Sequence, residues 1–268
     1  MKNIREKTIV LTGASGGIGR SIAEKLSAEG ARLILVARNE EKLTQLLGDL
    51  GGPPHVSVAA DLGEPQGRRR LRKYCESLGS GGIDILVNNS GINEFGFFED
   101  QSQAAITNLI NTNLVTPMLI CQDLLPLLRR RSGTRILNVG STFGSIGYPG
   151  FSAYCASKFG LRGFTESLRR ELADTDMQIS YIAPRATQTT LNSNSMVAMN
   201  DALGTTMDDP SVVADAVMKI IITPAGPDKY LGWPEKLFVR VNALLPALVD
   251  SNLRKQLPII RRFAKHQV

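Results

Sequence analysis

The 268-residue sequence predicts an α/β protein built on a doubly wound parallel sheet of about seven strands. Short apolar runs alternate with stretches of helical periodicity along almost the whole chain, which is the pattern of repeated βαβ units. The runs at 33–36 and 83–87 are almost continuously apolar, as expected of strands that helices cover on both faces. No linker rich in Pro, Gly or Ser divides the chain, so these units are expected to share one sheet.

The elements follow one another in a regular order. We predict strands at 8–12, 32–37, 55–60, 84–87, 134–140, 177–183 and 228–231, because each is a short apolar run bounded by turn residues. Between them, helical spacing of apolar residues predicts helices at 17–29, 40–50, 64–78, 102–130, 152–173 and 210–222. The polar, Met-containing stretch 187–209 is long for a connection and is a candidate lid or binding loop. The domain is therefore predicted at 1–233, with a basic amphipathic helical extension at 234–268.

Composition excludes several classes of protein. With 43% hydrophobic and 21% charged residues, the chain is an ordinary globular protein. Its two histidines, His55 and His266, leave little for a zinc site, so no metal is predicted. The three cysteines (Cys75, Cys121 and Cys155) form no CxxC pair and indicate a reducing compartment rather than a disulfide framework.

The N-terminal residues and the lengths of the apolar runs indicate whether the chain has a signal peptide or a membrane-spanning segment. Residues 1–7 are too short and too charged for a signal peptide, and we find no run of about 18 apolar residues that would span a bilayer. The expected localisation is cytoplasmic, with peripheral membrane contact as a further possibility through the tail.

A glycine-rich turn joins the first strand to the first helix. Residues 12–19 read Thr-Gly-Ala-Ser-Gly-Gly-Ile-Gly, and glycines at this place let the backbone approach a pyrophosphate at the helix N-terminus. The predicted dinucleotide contacts here are Gly13, Ser15, Gly17, Ile18 and Gly19. Residues 13–17 also satisfy G-x-S-x-G, the nucleophile elbow of α/β-hydrolases, but only His266 could complete a triad.

The end of the second strand indicates which dinucleotide is bound. Arg38 stands where an NAD site usually has an acidic residue, and a guanidinium can pair with a 2′-phosphate. NADP(H) is therefore favoured over NAD(H). The alternatives are that Arg38 is an ordinary surface residue, or that Glu40 or Glu41 binds a ribose.

A tyrosine and a lysine lie four residues apart in the predicted helix 152–173. Residues at this spacing share a helix face, so Tyr154 and Lys158 can point into one site. A nearby cation would lower the pKa of the phenol, which could then act as general acid or base. Ser141 ends the fifth strand, where ligands of parallel sheets bind.

Over about residues 6–231 these motifs resemble the short-chain dehydrogenase/reductase family, which implies a Rossmann-type sheet. The family's T-G-x-x-x-G-x-G matches residues 12–19, its N-N-A-G matches residues 88–91 with Ser90 for Ala, and its Ser and Y-x-x-x-K match Ser141, Tyr154 and Lys158. The resemblance implies Asn113 as the fourth catalytic residue. Further cofactor contacts that it implies are Asp61, Leu62, Asn88, Tyr154, Lys158, Pro184, Thr187 and Thr189.

The chain departs from the family after the sixth strand, where Arg185 replaces a glycine. A residue with a side chain does not freely adopt positive φ, so the turn could differ. Otherwise Arg185 could reach the cofactor or substrate, or face solvent.

The resemblance also implies a mechanism. Hydride would pass between the nicotinamide and a carbonyl or secondary alcohol, with Tyr154 as acid or base and Ser141 bonded to the substrate oxygen. Lys158 would lower the pKa of Tyr154, and Asn113 would hold a relay water. Carbonyl reduction is the expected direction, and the family usually forms homodimers or homotetramers through two long helices.

The substrate is indicated only in outline. The stretch 190–208 contains a set of apolar residues that could line a lipophilic pocket or pack a loop helix onto the body: Leu191, Met196, Val197, Met199, Leu203 and Met207. A 3-oxoacyl-thioester reductase, acting on a carrier-protein or CoA substrate, is the alternative within the class. From another class, a non-catalytic NADP-binding regulatory or scaffold protein is an alternative.

The net charge of +6 is concentrated in the tail. Residues 235–268 hold seven Lys and Arg against two Asp and Glu, and their leucines recur at helical spacing. Such a helix could pack on its own domain, on a partner subunit or over the pocket, or it could contact a membrane surface. Pro246 and Pro258 are expected to interrupt or kink the helices.

Two other basic runs lie at 68–73 and 129–131. They contain no interleaved aromatic residues for base stacking, so no nucleic-acid partner is predicted.

Overall fold

The structure, a computed structural model, describes residues 3–79, 82–223, 226 and 228–264. In this part of the chain, seven strands form one sheet in the order β3-β2-β1-β4-β5-β6-β7, and all neighbours pair in parallel. The strands are β1 (Thr8–Thr12), β2 (Arg32–Ala37), β3 (Val56–Ala59), β4 (Ile85–Asn88), β5 (Arg135–Val139), β6 (Gln178–Ala183) and β7 (Lys229–Tyr230). The predicted fold class is thus confirmed.

Helices connect these strands and also form the tail. They are α1 (Gly17–Ala28), α2 (Glu40–Asp49), α3 (Pro65–Ser77), α4 (Gln103–Ile110), α5 (Thr116–Leu128), α6 (Ser152–Glu171), α7 (Asn194–Ala202), α8 (Pro210–Ile222), α9 (Glu235–Leu244) and α10 (Pro246–Ala264). The ends of the predicted strands and of most predicted helices agree with these bounds within two residues.

The core consists of two apolar layers, one on each face of the sheet. Along β1, Ile9 and Leu11 face the layer that contains α1, α2 and α8, whereas Val10 faces α3, α5 and α6. This alternation follows from the two-residue period of a strand, and both faces are apolar because helices cover both. Because the helices cover the two faces of the sheet and not its edge, a site can form at the carboxyl ends of the strands.

The chain order reverses at the centre of the sheet. After β1 it proceeds to β2 and β3 on one side, and it then returns to β4 on the other side of β1. The connections leave the carboxyl ends of β1 and β4 in opposite directions, which opens a crevice where ligands of such sheets bind.

The long central helix is less regular than predicted. It runs from Gln103 to Leu128, but Asn111–Val115 form a π-helical turn between α4 and α5. Contrary to the sequence-based expectation, this helix is long and apolar enough to cross a membrane, with a mean hydropathy of 1.3 over 18 residues. Leu124 and Leu128 are buried against the sheet. A core helix passes the same test, so this finding alone is weak evidence for a membrane span.

The tail folds back onto the domain. Pro246 begins α10 and so separates it from α9, as expected. At Pro258 the expected interruption does not occur, because α10 continues through this residue to Ala264. Ile260 is completely buried between the tail and the domain, where it packs with Phe95, Phe151 and Met199.

Candidate active site

A cleft of about 680 Å³ opens at the carboxyl ends of the strands. One end is formed by the residues that follow β1, β2 and β3, and the other by α6, α7 and the tail helices. The volume lies within the range of small-molecule sites. Every predicted cofactor contact except Asn88 lines this cleft, as do Ser141, Tyr154 and Lys158.

The glycine turn after β1 allows close packing. Gly13 has φ of +64°, and a Cβ atom on Gly19 would lie 2.0 Å from the carbonyl oxygen of Gly13. Only a residue without a side chain fits there, and α1 can therefore begin directly beneath the turn. Ser15, Gly17 and Ile18 line the cleft at the start of this helix, where backbone N–H groups favour an anion.

Hydrogen bonds with the residues that follow β4 hold the glycine turn in place. The Thr12 hydroxyl accepts hydrogen bonds from the backbone N–H groups of Asn89 (3.0 Å) and Ser90 (3.1 Å). In return, the Asn89 side-chain amide donates to the carbonyl oxygens of Thr12 (3.1 Å) and Gly13 (3.2 Å). These bonds hold the two crevice strands together at their ends.

The side chain of Asn88 does not reach the cleft, which corrects its predicted role. Its amide donates to Oδ1 of Asn138 (2.9 Å) and to Sγ of Cys121 (3.3 Å) within the sheet. In a strand, successive side chains point to opposite faces, and the residue that lines the cleft is Asn89. The second asparagine of the Asn-Asn pair was the signal that sequence reasoning missed.

Two cations lie at the end of the cleft beyond β2. Arg38 is exposed and lines the cleft, as does Lys42 in the first turn of α2. Within the described residues Arg38 forms no ion pair. Lys42 was not predicted, although it is four residues after Arg38. Asp61 and Leu62 line the cleft after β3, and Asp61 accepts the backbone N–H of Gly63 at 2.9 Å.

The segment after β6 covers the glycine turn. Pro184 is buried, Thr187 pairs with Asp208 in an isolated bridge, and Thr189 lies close enough to Gly17 that a Cβ there would be 3.2 Å from Thr189 Cγ2. All three line the cleft.

Arg185, which replaces the glycine of the family motif, lines the cleft and is ion-paired. Its φ is not positive, so the turn is built without the conformation that glycine provides. Its guanidinium pairs with Asp208 at 2.6 Å and with Glu235 at 3.5 Å, and it donates to the carbonyl oxygen of Trp233 at 3.3 Å. Arg185 therefore links the turn to the end of the segment 187–209 and to the start of the tail.

Tyr154 and Lys158 share one face of α6, and the Lys158 Nζ lies 5.7 Å from the centre of the Tyr154 ring. Burial raises the pKa of Tyr154 to about 12, and a hydrogen bond with the Ser141 side chain opposes that shift. Burial also lowers the pKa of Lys158 to about 8. The expected lowering of the Tyr154 pKa by Lys158 is therefore not observed, because desolvation dominates both groups.

Ser141 is held by a residue that sequence reasoning did not identify. The Tyr181 hydroxyl donates to the carbonyl oxygen of Ser141 (3.1 Å) and accepts from its N–H (3.2 Å). Tyr181 is buried beneath Gly140, where an added Cβ would lie 2.1 Å from the phenol. No sequence motif marks Tyr181, since a tyrosine in a buried strand is ordinary.

Asn113 lies in the π-helical turn and is completely buried. Its Oδ1 accepts the N–H of Ile92 at 2.8 Å, and its Nδ2 donates to the carbonyl oxygen of Ile92 (2.9 Å) and to Ser157 Oγ (3.2 Å). A Cβ on Gly91 would contact both Asn113 Oδ1 and Lys158 Nζ. Asn113 and Lys158 therefore flank the same backbone position, just behind the cleft wall.

The other end of the cleft is mainly apolar. Phe143 stacks on Tyr148 with ring centres 4.8 Å apart, and Met196 and Met199 of α7 line the wall beside them. The tail contributes Phe238, Val241, Leu248, Val249 and Leu253. Both interpretations of the 190–208 set hold in part, because α7 packs on the body and also presents methionines to the cleft.

The residues along the cleft fit a dinucleotide. The glycine turn leaves a cradle that side chains would fill, and the cleft continues from the cations after β2 to the Ser141–Tyr154–Lys158 group. His266, which a hydrolase triad would need, lies outside the described residues.

Comparison with known proteins agrees with this geometry. A family model described as short chain dehydrogenase matches residues 7–200. The chain is 34% identical to the ketoacyl reductase HetN of Nostoc sp., over 82% of this chain and 77% of that protein. It is 31% identical to the 3-oxoacyl-[acyl-carrier-protein] reductase FabG of Vibrio cholerae, over 80% of this chain and 89% of that protein.

A solved structure of the same family has a similar fold. A short chain dehydrogenase from Burkholderia cenocepacia in complex with NADP superposes with a TM-score of 0.79 at 26% identity, covering 87% of this chain and 99% of that chain. The chain therefore belongs to the short-chain dehydrogenase/reductase family and is an NAD(P)-dependent oxidoreductase that acts on CH–OH and C=O groups.

Proposed function

We propose that the protein is an NADP(H)-dependent reductase that converts a lipophilic small-molecule carbonyl compound into a secondary alcohol. The observation that carries this proposal is the Ser141–Tyr154–Lys158 group, placed where the polar and apolar ends of one cleft meet. A 3-oxoacyl thioester is the alternative substrate. The similarity to HetN and FabG supports that alternative, since both are named as ketoacyl reductases.

The preference for NADP(H) rests on charge. Arg38 and Lys42 line the cleft beyond β2, and in the described part of the chain neither forms an ion pair. Two free cations at this place would attract a 2′-phosphate, for which Arg provides a bidentate partner. The cleft residues after β1, β3 and β6 would hold the rest of the dinucleotide.

The chain's own residues then perform the acid–base chemistry. When bound, the nicotinamide supplies or accepts the hydride. Ser141 donates a hydrogen bond to the substrate oxygen and stabilises the negative charge that develops there. Tyr154, whose raised pKa keeps it protonated, gives its proton to that oxygen. Lys158 then returns a proton to Tyr154. Asn113, which lies behind Gly91, would hold the water that relays protons to Lys158.

Tyr154 provides the most direct test of this mechanism. Tyr154→Phe removes the proton donor, so we expect NADPH-dependent ketone reduction to fall by roughly 10²–10⁴-fold while NADPH still binds. Tyr74→Phe, on α3 and remote from the cleft, is the matched control. Near-normal turnover in Tyr154→Phe would reject the assignment, and binding of NADPH without turnover of any carbonyl by the wild type would favour the scaffold alternative.

The cofactor preference has its own matched pair. Arg38→Ala is expected to reduce kcat/KM for NADPH by roughly 10- to 100-fold, because a charge-assisted hydrogen bond is lost. The value for NADH should hardly change. Arg32→Ala, at the opposite end of β2, is the control. Tighter NADH binding that persists in Arg38→Ala would overturn the preference.

A substrate panel separates the two substrate classes. Medium-chain ketones and 3-oxoacyl thioesters are compared by kcat/KM with NADPH. The apolar wall formed by α7 and the tail supports faster turnover as the alkyl chain lengthens. A strong preference for a thioester of the same chain length would favour the ketoacyl alternative.

Assembly and localisation form part of the same proposal. Val115, Met118 and Phe159 are exposed apolar residues on the two long helices, which supports a homodimer or homotetramer joined there. The cysteines Cys75, Cys121 and Cys155 are all free and buried, which supports a cytoplasmic location. Light scattering after size exclusion would measure the assembly, and Met118→Glu should reduce its mass.

A further inference from the structure

The outer surface of the tail combines exposed apolar side chains with unpaired cations. Of the thirteen exposed large hydrophobic residues in the described chain, six lie in the tail and a seventh, Trp233, just before it; Leu244 is the most exposed at 80%. They are Trp233, Leu237, Phe238, Leu244, Leu245, Leu248 and Ile259. A cluster of this kind marks an interaction site rather than ordinary surface variation.

Among the described residues, the cations of the same surface form no ion pairs with acidic side chains. Lys236, Arg240, Arg254, Lys255, Arg261 and Arg262 are all exposed, and none forms an ion pair with another described residue. Of the two acids in the segment, Glu235 is already paired with Arg185. Asp250 alone is left to balance six positive charges.

Helix α9 shows how the two features combine. Val239 faces the domain and is buried, whereas Lys236, Arg240 and Leu244 recur at four-residue spacing on the exposed side. Basic residues interleaved with leucine, near an exposed tryptophan, are the composition of helices that lie in the interface of an anionic membrane.

We propose that the outer surface of α9 and α10 docks on an anionic lipid bilayer, from which the cleft takes its substrate. The statement that the cleft takes its substrate from the bilayer rests on the proposed function. Phe238 and Leu248 are exposed by 40% and 61%, and both also line the cleft. The apolar surface that would enter the bilayer is therefore continuous with the substrate end of the cleft.

Other occupants fit this surface less well. A second copy of the chain, related by a two-fold axis, would bring two such surfaces together, each with six exposed cations and one unpaired acid. An acidic carrier protein would match the charge, but it would leave Leu244 and Leu245 without an apolar environment. A bilayer with anionic headgroups accommodates both features.

Vesicle co-sedimentation of the full chain tests the docking. We expect binding to phosphatidylcholine vesicles that contain about one-third phosphatidylserine, and much weaker binding to phosphatidylcholine alone or at high salt. Each cation near the surface contributes roughly five-fold, so Lys236→Gln/Arg240→Gln should weaken binding by about 25-fold. Arg69→Gln/Lys73→Gln, an exposed basic pair of the same spacing on α3, should leave binding unchanged.

The apolar contribution has a matched pair of its own. Leu244→Ser/Leu245→Ser should also release the protein from vesicles, whereas Phe98→Ser/Val212→Ser, exposed elsewhere, should not. Reduction of a water-soluble ketone should be unchanged in all four variants.

Three results would overturn the docking: no binding to anionic vesicles, equal loss in tail and control variants, or binding to an acidic carrier protein but not to vesicles. A fall in oligomer mass in Leu244→Ser/Leu245→Ser would likewise assign the surface to a second copy. Vesicle binding without ketone turnover would support the docking surface and reject the proposed reductase.

Discussion

At the scale of single residues, the site depends on what burial does to two ionisable groups. Tyr154 becomes a weaker acid and Lys158 a weaker base, because each neutral form is favoured away from water. A tyrosine that stays protonated can donate during carbonyl reduction. A lysine with a pKa of about 8 can both lose and regain a proton near neutral pH.

The Lys158 pKa predicts the pH dependence of turnover. Below about 8 the ammonium is protonated and can resupply Tyr154, whereas above this value the proton is lost. We expect kcat/KM for carbonyl reduction to fall as the pH rises through about 8, and alcohol oxidation to show the opposite trend. Lys158→Arg, whose charge persists, should remove the descending limb. A flat profile in the wild-type enzyme would contradict this role.

The residues of this site were predictable to different degrees. Ser141, Tyr154 and Lys158 lie together in the cleft because motif spacing fixes their places at a strand end and on one helix face. Asn89, Lys42 and Tyr181 were missed. Their roles depend on the direction in which a side chain points at the end of a strand or helix, and the hydrophobic pattern does not indicate that direction.

At the scale of elements, Arg185 joins three segments that are distant in sequence. Its ion pairs reach Asp208 before α8 and Glu235 at the start of α9, and all three side chains are at most 21% exposed. The turn after β6, the segment 187–209 and the tail are therefore held at one point, beside Thr187 and Thr189, which line the cleft.

Removal of this arginine should loosen the lid. Arg185→Ala leaves the Asp208 carboxylate without its partner, so we expect about 1–3 kcal/mol lower stability, weaker NADPH binding and faster proteolysis within 187–209. Arg170→Ala is the control, since Arg170 forms only an exposed i,i+4 pair with Glu166. Equal proteolysis rates for the two variants would contradict the linkage.

Element boundaries were well predicted where apolar runs end at turn residues, as in β1 and β2. The π-helical turn at Asn111–Val115 was not predicted. The apolar residues around this turn have the spacing of an α-helix, so the pattern does not reveal the extra residue that a π-helical turn contains. This turn directs Asn113 towards Ile92.

At the scale of the whole molecule, the tail is part of the core as well as of the surface. The amphipathic pattern indicated that one face is buried, but several partners for that face remained open. The structure places it against the apolar end of the protein's own cleft, where Ile260 packs with Phe151 and Met199. Such a contact joins residues more than 60 positions apart, and helical periodicity carries no information about it.

Adjacent isoleucines test how much this packing stabilises the fold. Ile260→Ala creates a cavity at a completely buried position, so we expect the free energy of unfolding to fall by about 2–4 kcal/mol. Ile259→Ala, at a position 37% exposed, should change it by about 0.5 kcal/mol or less. Urea denaturation measures both. Equal small effects would mean that the tail contributes little to global stability.

The tail helices α9 and α10 lie beyond residue 200, where the match to the family model ends, whereas the Ser141–Tyr154–Lys158 group lies within it. The proton-transferring group and the tail that completes the apolar end of the cleft thus occupy separate stretches of the chain. Point changes or segment exchange downstream of Trp233 can alter what enters the cleft while the residues that transfer protons stay in place. The fold therefore offers a natural cut point for building reductases with new substrate ranges, and for tracing how relatives diverged.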